Sequence, residues 1–195
     1  MKFKQFINES DDRSYTIIAI EKECQPFIKA IRGASGFLYR NDGYGSKGPG
    51  YKKKVRSDRR PMDSPIEIHE FVDEQFKKRF GWKGRSEGLF VWGANRFSGK
   101  VDNPNFFTVF PVGNFKFIWS PVVSDLYGDL VPFTDEFDGF LENWNKVNKS
   151  YTDKNLKKAV TSNNEIMIGC KEAWIIRRES LPTLNKELNL KLKWL

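Results

Sequence analysis

Histidine and cysteine are nearly missing from this chain: His69 stands alone, and the only thiols are Cys24 and Cys170. No spacing among them makes a metal-ligand set, so a structural zinc site or a disulfide framework cannot organise the fold, and free thiols in a reducing compartment are expected. No apolar run approaches the roughly 20 residues of a membrane-spanning helix, and the first residues lack the apolar core of a secretory signal, so no membrane partner is expected. There is no glycine-rich phosphate loop of the Rossmann or Walker kind. There is also no internal repeat.

What is present is basic and aromatic. The 195 residues carry 33 Lys and Arg against 25 Asp and Glu, a formal charge of +8, which favours an anionic partner such as nucleic acid or a phosphorylated ligand. Aromatics make up 15%, with 17 Phe, enough for a well-filled core in a single domain. Apolar residues at Ile17, Ile20, Cys24, Phe27, Ile28 and Ile31 keep a helical period that Pro26 interrupts, giving two helical pieces. Phe37-Leu38-Tyr39-Arg40 reads as a short strand, followed by an irregular Gly- and Pro-rich loop over 41–50. Ser64-Pro65-Ile66-Glu67 reads as a capping box opening a helix at 65, whose apolar stripe is Ile68, Phe71, Val72, Phe76 and Phe80, with Gly81 as its left-handed stop. His69 lies beside that stripe, where a surface or capping role is expected. Phe137, Phe140, Leu141, Trp144 and Val147 mark a further helix, with Thr134-Asp135-Glu136 at its positive end.

Strands dominate the second half. Gly88 to Trp92 reads as a buried strand. Asn105 to Val112 and Phe115 to Trp119 flank Gly113-Asn114 as an expected hairpin, and Glu165 to Ile168 with Ala173 to Ile176 form a second one around Gly-Cys-Lys-Glu. The tail from Leu181 to Leu195 fits either a strand or a helix. Early helices, late hairpins and inserted helices together predict an α+β domain rather than a doubly wound sheet.

Two groups of residues carry resemblances. The opening Met1-Lys2-Phe3-Lys4-Gln5-Phe6-Ile7-Asn8-Glu9 resembles the capsid-targeting peptide of internal head proteins of large tailed phages. That likeness implies residues 1–9 as a propeptide cut by a prohead protease between Glu9 and Ser10, with 10–195 as the mature domain. It also implies contact with the capsid scaffold during assembly, residence in the virion head and later entry into the host cytoplasm. An ordinary first helical turn docking on the domain is the competing reading.

Leu38-Tyr39-Arg40, Leu89-Phe90-Val91-Trp92-Gly93 and Asn163-Asn164-Glu165, in that order, resemble mono-ADP-ribosyltransferases of the arginine-serine-glutamate type. The resemblance implies an ADP-ribosyltransferase-like fold with a mostly antiparallel split β-sheet, and a monomer using NAD as substrate to modify a host protein or nucleic acid. Carried over, Arg40 clamps a phosphate and the nicotinamide-side ribose. Glu165 bonds the ribose 2′-hydroxyl and steadies charge developing at C1′. Trp92, Gly93, Phe97 and Asn163 fall in the implied NAD-binding set, and Phe106 and Phe107 are further candidates to pack on the nicotinamide. The chain departs from the pattern at Asn41, where a glycine is usual; at Trp92-Gly93-Ala94, which lacks the family's hydroxyls, Ser86 and Ser98 being the nearest; and at Asn163, which replaces an acid.

Each of these residues also has a plain structural reading. Arg40 can pair with Asp42 or Glu165, Glu165 can be a solvated strand-end acid, and Cys170 can be a spectator thiol. The cationic run Lys52, Lys53, Lys54, Arg56, Arg59 and Arg60 is either a solvated loop or a grip for nucleic-acid phosphates, as in a non-enzymatic basic protein that binds DNA or blocks a host defence enzyme.

Overall fold

The computed structural model describes residues 8–41, 50–61, 64–94, 106–131 and 137–192, with side chains from residue 15 onward. The implied targeting run before Asn8, the Gly/Pro loop at 42–49, Phe97, Ser98 and Thr134 to Glu136 lie outside it. The chain is α+β, with a seven-stranded antiparallel sheet and eight α-helices among the described residues.

In chain order the elements are α1 (Asn8–Glu23), α2 (Gln25–Ile31), β1 (Tyr39–Asn41), β2 (Gly50–Lys54), α3 (Ile66–Phe80), α4 (Gly84–Glu87) and β3 (Leu89–Trp92). There follow β4 (Phe106–Pro111), β5 (Lys116–Trp119), α5 (Leu126–Leu130), α6 (Phe137–Val147), α7 (Leu156–Thr161), β6 (Glu165–Gly169), β7 (Glu172–Arg177) and α8 (Leu181–Glu187). The break between α1 and α2 falls at Cys24, two residues before Pro26, whose ring cannot continue the preceding helix. The Glu9–Ser10 bond lies in the first turn of α1. Gly81, at φ 78°, ends α3 by donating its N–H to the Lys77 carbonyl. The capping box is not formed: Pro65 is itself the N-cap and no side chain caps the helix.

Strand order is β2-β7-β4-β1-β3-β6-β5. Both expected hairpins are corrected by it. β4 pairs with β1 and β7 while β5 pairs with β6, and β6 and β7 part company to become the middle strands of β3-β6-β5 and β2-β7-β4. The turn at Cys170-Lys171 therefore crosses between halves of the sheet. Those halves meet at β1 and β3, where Tyr39 and Trp92 form the one register pair among the described residues.

Two hydrophobic clusters flank the strands. One packs Phe27, Ile28 and Ile31 of α2 with β4, β7, α7 and α8; the other gathers Ile68, Val72 and Phe76 of α3 with Phe140 and Trp144 of α6 and Tyr151. β6 serves both, sending Ile166 and Ile168 to the first and Met167 to the second, which is the period-two alternation of a strand. In the second cluster Phe76, Trp144 and Tyr151 have ring centroids 5.0–5.8 Å apart, the spacing of tilted aromatic contacts. The C-terminal tail forms α8 and then an irregular run that buries Leu188, Leu190 and Leu192.

Candidate functional site

A cavity of about 480 Å³ opens where β1, β3 and β6 lie side by side. Arg40 of β1, Trp92 and Phe90 of β3 and Glu165, the first residue of β6, all line it. Around them stand Arg56, Arg59 and Arg60 from the segment after β2, His69 of α3, Arg85 of α4, and Asp125 and Tyr127 at the start of α5. Five arginines thus face two carboxylates, a lining suited to an anion.

The arginines are held individually. Arg40 Nη1 donates to the Phe90 carbonyl at 2.9 Å, across the seam of the sheet. Arg59 donates through Nη1 to the Gly88 carbonyl at 3.1 Å and through its backbone N–H to the Ser86 carbonyl at 3.2 Å. The guanidinium groups of Arg59 and Arg85 lie 4.3 and 5.1 Å from the Phe90 ring centroid, within cation–π reach. Crowding has a cost. Burial, and then repulsion from Arg40 and Arg85, pushes Arg59 down to about 10.

Glu165 is not the solvated strand-end acid that its position allowed; it is 8% exposed. Its N–H donates to the Ser124 carbonyl at 2.9 Å, tying the start of β6 to the turn that carries Asp125. Asp129 fixes that turn by accepting from the backbone N–H groups of Ser124 and Asp125. Burial pushes the Glu165 carboxyl above the ordinary carboxylate range, with Arg85 acting against that shift and Asp125 adding to it. Arg85 Nη1 lies 3.6 Å from Glu165 Oε1.

Beneath the cavity runs a polar cluster missed by sequence reasoning. His69, expected at the surface, is 3% exposed. Its Nε2 lies 3.0 Å from Ser86 Oγ and 3.4 Å from Asp73 Oδ2. Asp73 is buried and accepts from the backbone N–H groups of Arg85 and Ser86 and from the Ser86 hydroxyl. These bonds pin the short helix α4 onto α3. Burial lowers the His69 pKa, so the neutral imidazole is favoured despite the attraction of Asp73. The available signal was the four-residue spacing of His69 and Asp73, which puts both on one face of α3.

The other expected site residues lie elsewhere. Asn163 is exposed and does not line the cavity; its neighbour Asn164 is the buried amide, donating through Nδ2 to the Ser120 carbonyl at 2.6 Å. Gly93 packs against the end of α7, where a Cβ would lie 2.3 Å from the Ser162 carbonyl oxygen. Phe106 and Phe107, the β4 partners of Asn41 and Arg40, are buried in the first hydrophobic cluster and do not line the cavity. The cationic run is divided. Arg56, Arg59 and Arg60 line the cavity, whereas Lys52 on the edge strand β2 pairs with Glu23 at 2.8 Å and sits over the Trp174 ring. Cys170 and Cys24 are free thiols, both pushed up to about 12, by burial foremost.

No protein-family model, curated protein or solved structure matches this chain.

Proposed function

We propose that the cavity binds NAD and that the protein transfers ADP-ribose from it to a macromolecular acceptor. The observation that carries this reading is the convergence of Arg40 and Glu165 on one cavity, from strands separated only by β3. Arg40, Arg59 and Arg60 supply fixed positive charge for the diphosphate. Glu165, ionised, accepts a hydrogen bond from the ribose 2′-hydroxyl and stabilises the oxocarbenium-like centre at C1′. The C1′–N bond breaks and nicotinamide leaves with its electron pair. An acceptor nucleophile then bonds to C1′ and loses its proton. Trp92 and Tyr127 give the cavity aromatic surface for the nicotinamide ring.

The test is incubation of the purified protein with labelled NAD and a bacterial lysate. Label entering macromolecules, and lost in Glu165→Ala, supports the reading. No labelled product, or equal labelling by the variant, ends it.

A second reading, anion binding without turnover, draws on the burial of Glu165, which works against the ionised form that transfer requires. It predicts saturable binding of phosphorylated ligands with nicotinamide never released. The setting in a phage head and then in the host is proposed on the N-terminal run alone, and mass spectrometry of the virion protein tests it: a chain beginning at Ser10 supports packaging by this route, and an intact Met1 contradicts it.

A further inference from the structure

We infer that Arg85 is a positioning residue for Glu165, taking the place of the hydroxyls that the end of β3 lacks and holding the carboxylate charged and aimed into the cavity. The inference rests on the reading of Glu165 as the catalytic carboxylate.

The residue in register with Glu165 on β3 is Trp92, which brings no hydroxyl to the carboxylate's side. What faces the carboxylate is the Arg85 guanidinium, together with the backbone N–H of Leu126, which donates to it. Arg85 Nη1 and Glu165 Oε1, at 3.6 Å, are beyond good hydrogen-bond length, and neither atom has another hydrogen-bond partner among the described residues. Both residues are 8% exposed. With little water between them the attraction is poorly screened, so the contact is an electrostatic one in a low-dielectric setting.

Arg85 is itself held from behind. Its N–H donates to Asp73 Oδ1 at 2.7 Å, and its guanidinium rests against Phe90. The backbone of Arg85 is thus fixed and its guanidinium lies against a ring, while Nε and Nη1 have no hydrogen-bond partner among the described residues, which leaves the charge to act on the proposed catalytic oxygen beside it. A buried ion pair is a poor source of stability, and the neighbouring charges argue the same way. Asp125, from the turn before α5, opposes the ionised carboxylate, and Arg59, from the segment after β2, favours it. The buried hydroxyl of Tyr151 has its own ionisation opposed by Glu165. Arg40, His69 and Tyr127 line the same space from β1, α3 and α5. Among these groups Arg85 is the cation whose attraction for the carboxylate is largest.

The test pairs two readouts on the full chain. ¹³C-carboxyl NMR of Glu-labelled protein, with Glu165→Gln assigning the signal, gives the midpoint of Glu165 directly; transferase rate against pH gives its effect on the reaction. In Arg85→Gln the midpoint is expected to move to higher pH and the acid limb of the rate profile to move with it. Below the new midpoint the rate falls about tenfold per pH unit. kcat drops while KM for NAD changes little, and Arg85→Lys restores most of the rate. Should Arg85→Gln not fold, Arg85→Met, apolar and of similar length, is read the same way. A midpoint that stays put overturns the inference whatever happens to the rate. A midpoint that moves in a protein without transferase activity keeps the coupling of the two residues and ends the transferase reading instead.

Discussion

Tyr39 and Trp92 face each other as the register pair that joins the two halves of the sheet, and Trp92 is also the β3 partner of Glu165. The geometry of the cavity therefore depends on how the end of β3 is seated. Gly93, the next residue, donates its N–H to the Asn164 carbonyl and leaves no room for a side chain: a Cβ would lie 2.3 and 2.5 Å from the carbonyl oxygens of Ser162 and Ala159. These are backbone atoms that cannot rotate away. Gly93→Ala is expected to cost about 1–3 kcal/mol, as overpacking does. In urea it should lower the unfolding midpoint with the slope unchanged, and anion binding should weaken with it.

Glu165→Gln separates stability from activity. The folded pKa of Glu165 is raised, so its contribution to stability is complete below the unfolded value of about 4.3 and is lost as pH rises through the folded value. Toward neutral pH that contribution is therefore lost, even with Arg85 beside the carboxyl. Glu165→Gln should match or exceed the wild type in stability at pH 7.5 and lose that advantage toward pH 4, as followed by thermal unfolding. Its transfer rate should fall by about 10²–10³-fold, the usual loss when a transition-state charge is no longer stabilised.

Arg40 and Arg85 both repel Arg59, so an anion that occupies the cavity should stabilise the protein. With pyrophosphate as the probe, a concentration 100 times Kd should add about 2.7 kcal/mol, visible as a rise in Tm. Arg59→Gln removes one charged donor and should weaken binding by about tenfold or more. Lys54→Gln, on the exposed edge of β2, should leave the affinity unchanged at moderate salt.

The two thiols should be silent in the native state. With both at about 12, the thiolate fraction at pH 8 is about 10⁻⁴, so a thiol-reactive chromogenic disulfide should label neither Cys24 nor Cys170 on the timescale of minutes. Addition of denaturant should release two equivalents at once. Cys170 is only partly buried, so fast labelling of it under native conditions would contradict the raised pKa of its thiol.

Helices were the legible part of this fold. The stripes through Ile68, Val72 and Phe76 and through Phe140 and Trp144 bury the faces that their period assigns, because a helix facing a single core displays that core in its own sequence. Strand positions were legible, but their partners were not. β4 and β6 are buried at every position, so no alternation marks a solvent face, and the short turn at Gly169-Cys170-Lys171-Glu172 carries no sign that its strands diverge. In the site, Arg40 and Glu165 stood out through motif order. Arg85, Asp125 and His69 did not, because a polar residue carries no mark in one dimension of the cavity it lines. Each is drawn in by a packing event, α4 onto α3 or the α5 turn onto β6, between segments distant in sequence.

The central places of β6 and β7 set the order in which this protein can come into being. On the ribosome, β1 to β5 emerge first, and of these only β4, β1 and β3 are neighbours in the finished sheet; β6 and β7, which join β5 and β2 to them, arrive together between Glu165 and Arg177. Until then the chain holds β4-β1-β3 with both outer edges unpaired, open to pairing with neighbouring chains. β2 and β5 can join the sheet only once β6 and β7 have been made, so a chain that stops before Glu165 should not complete it.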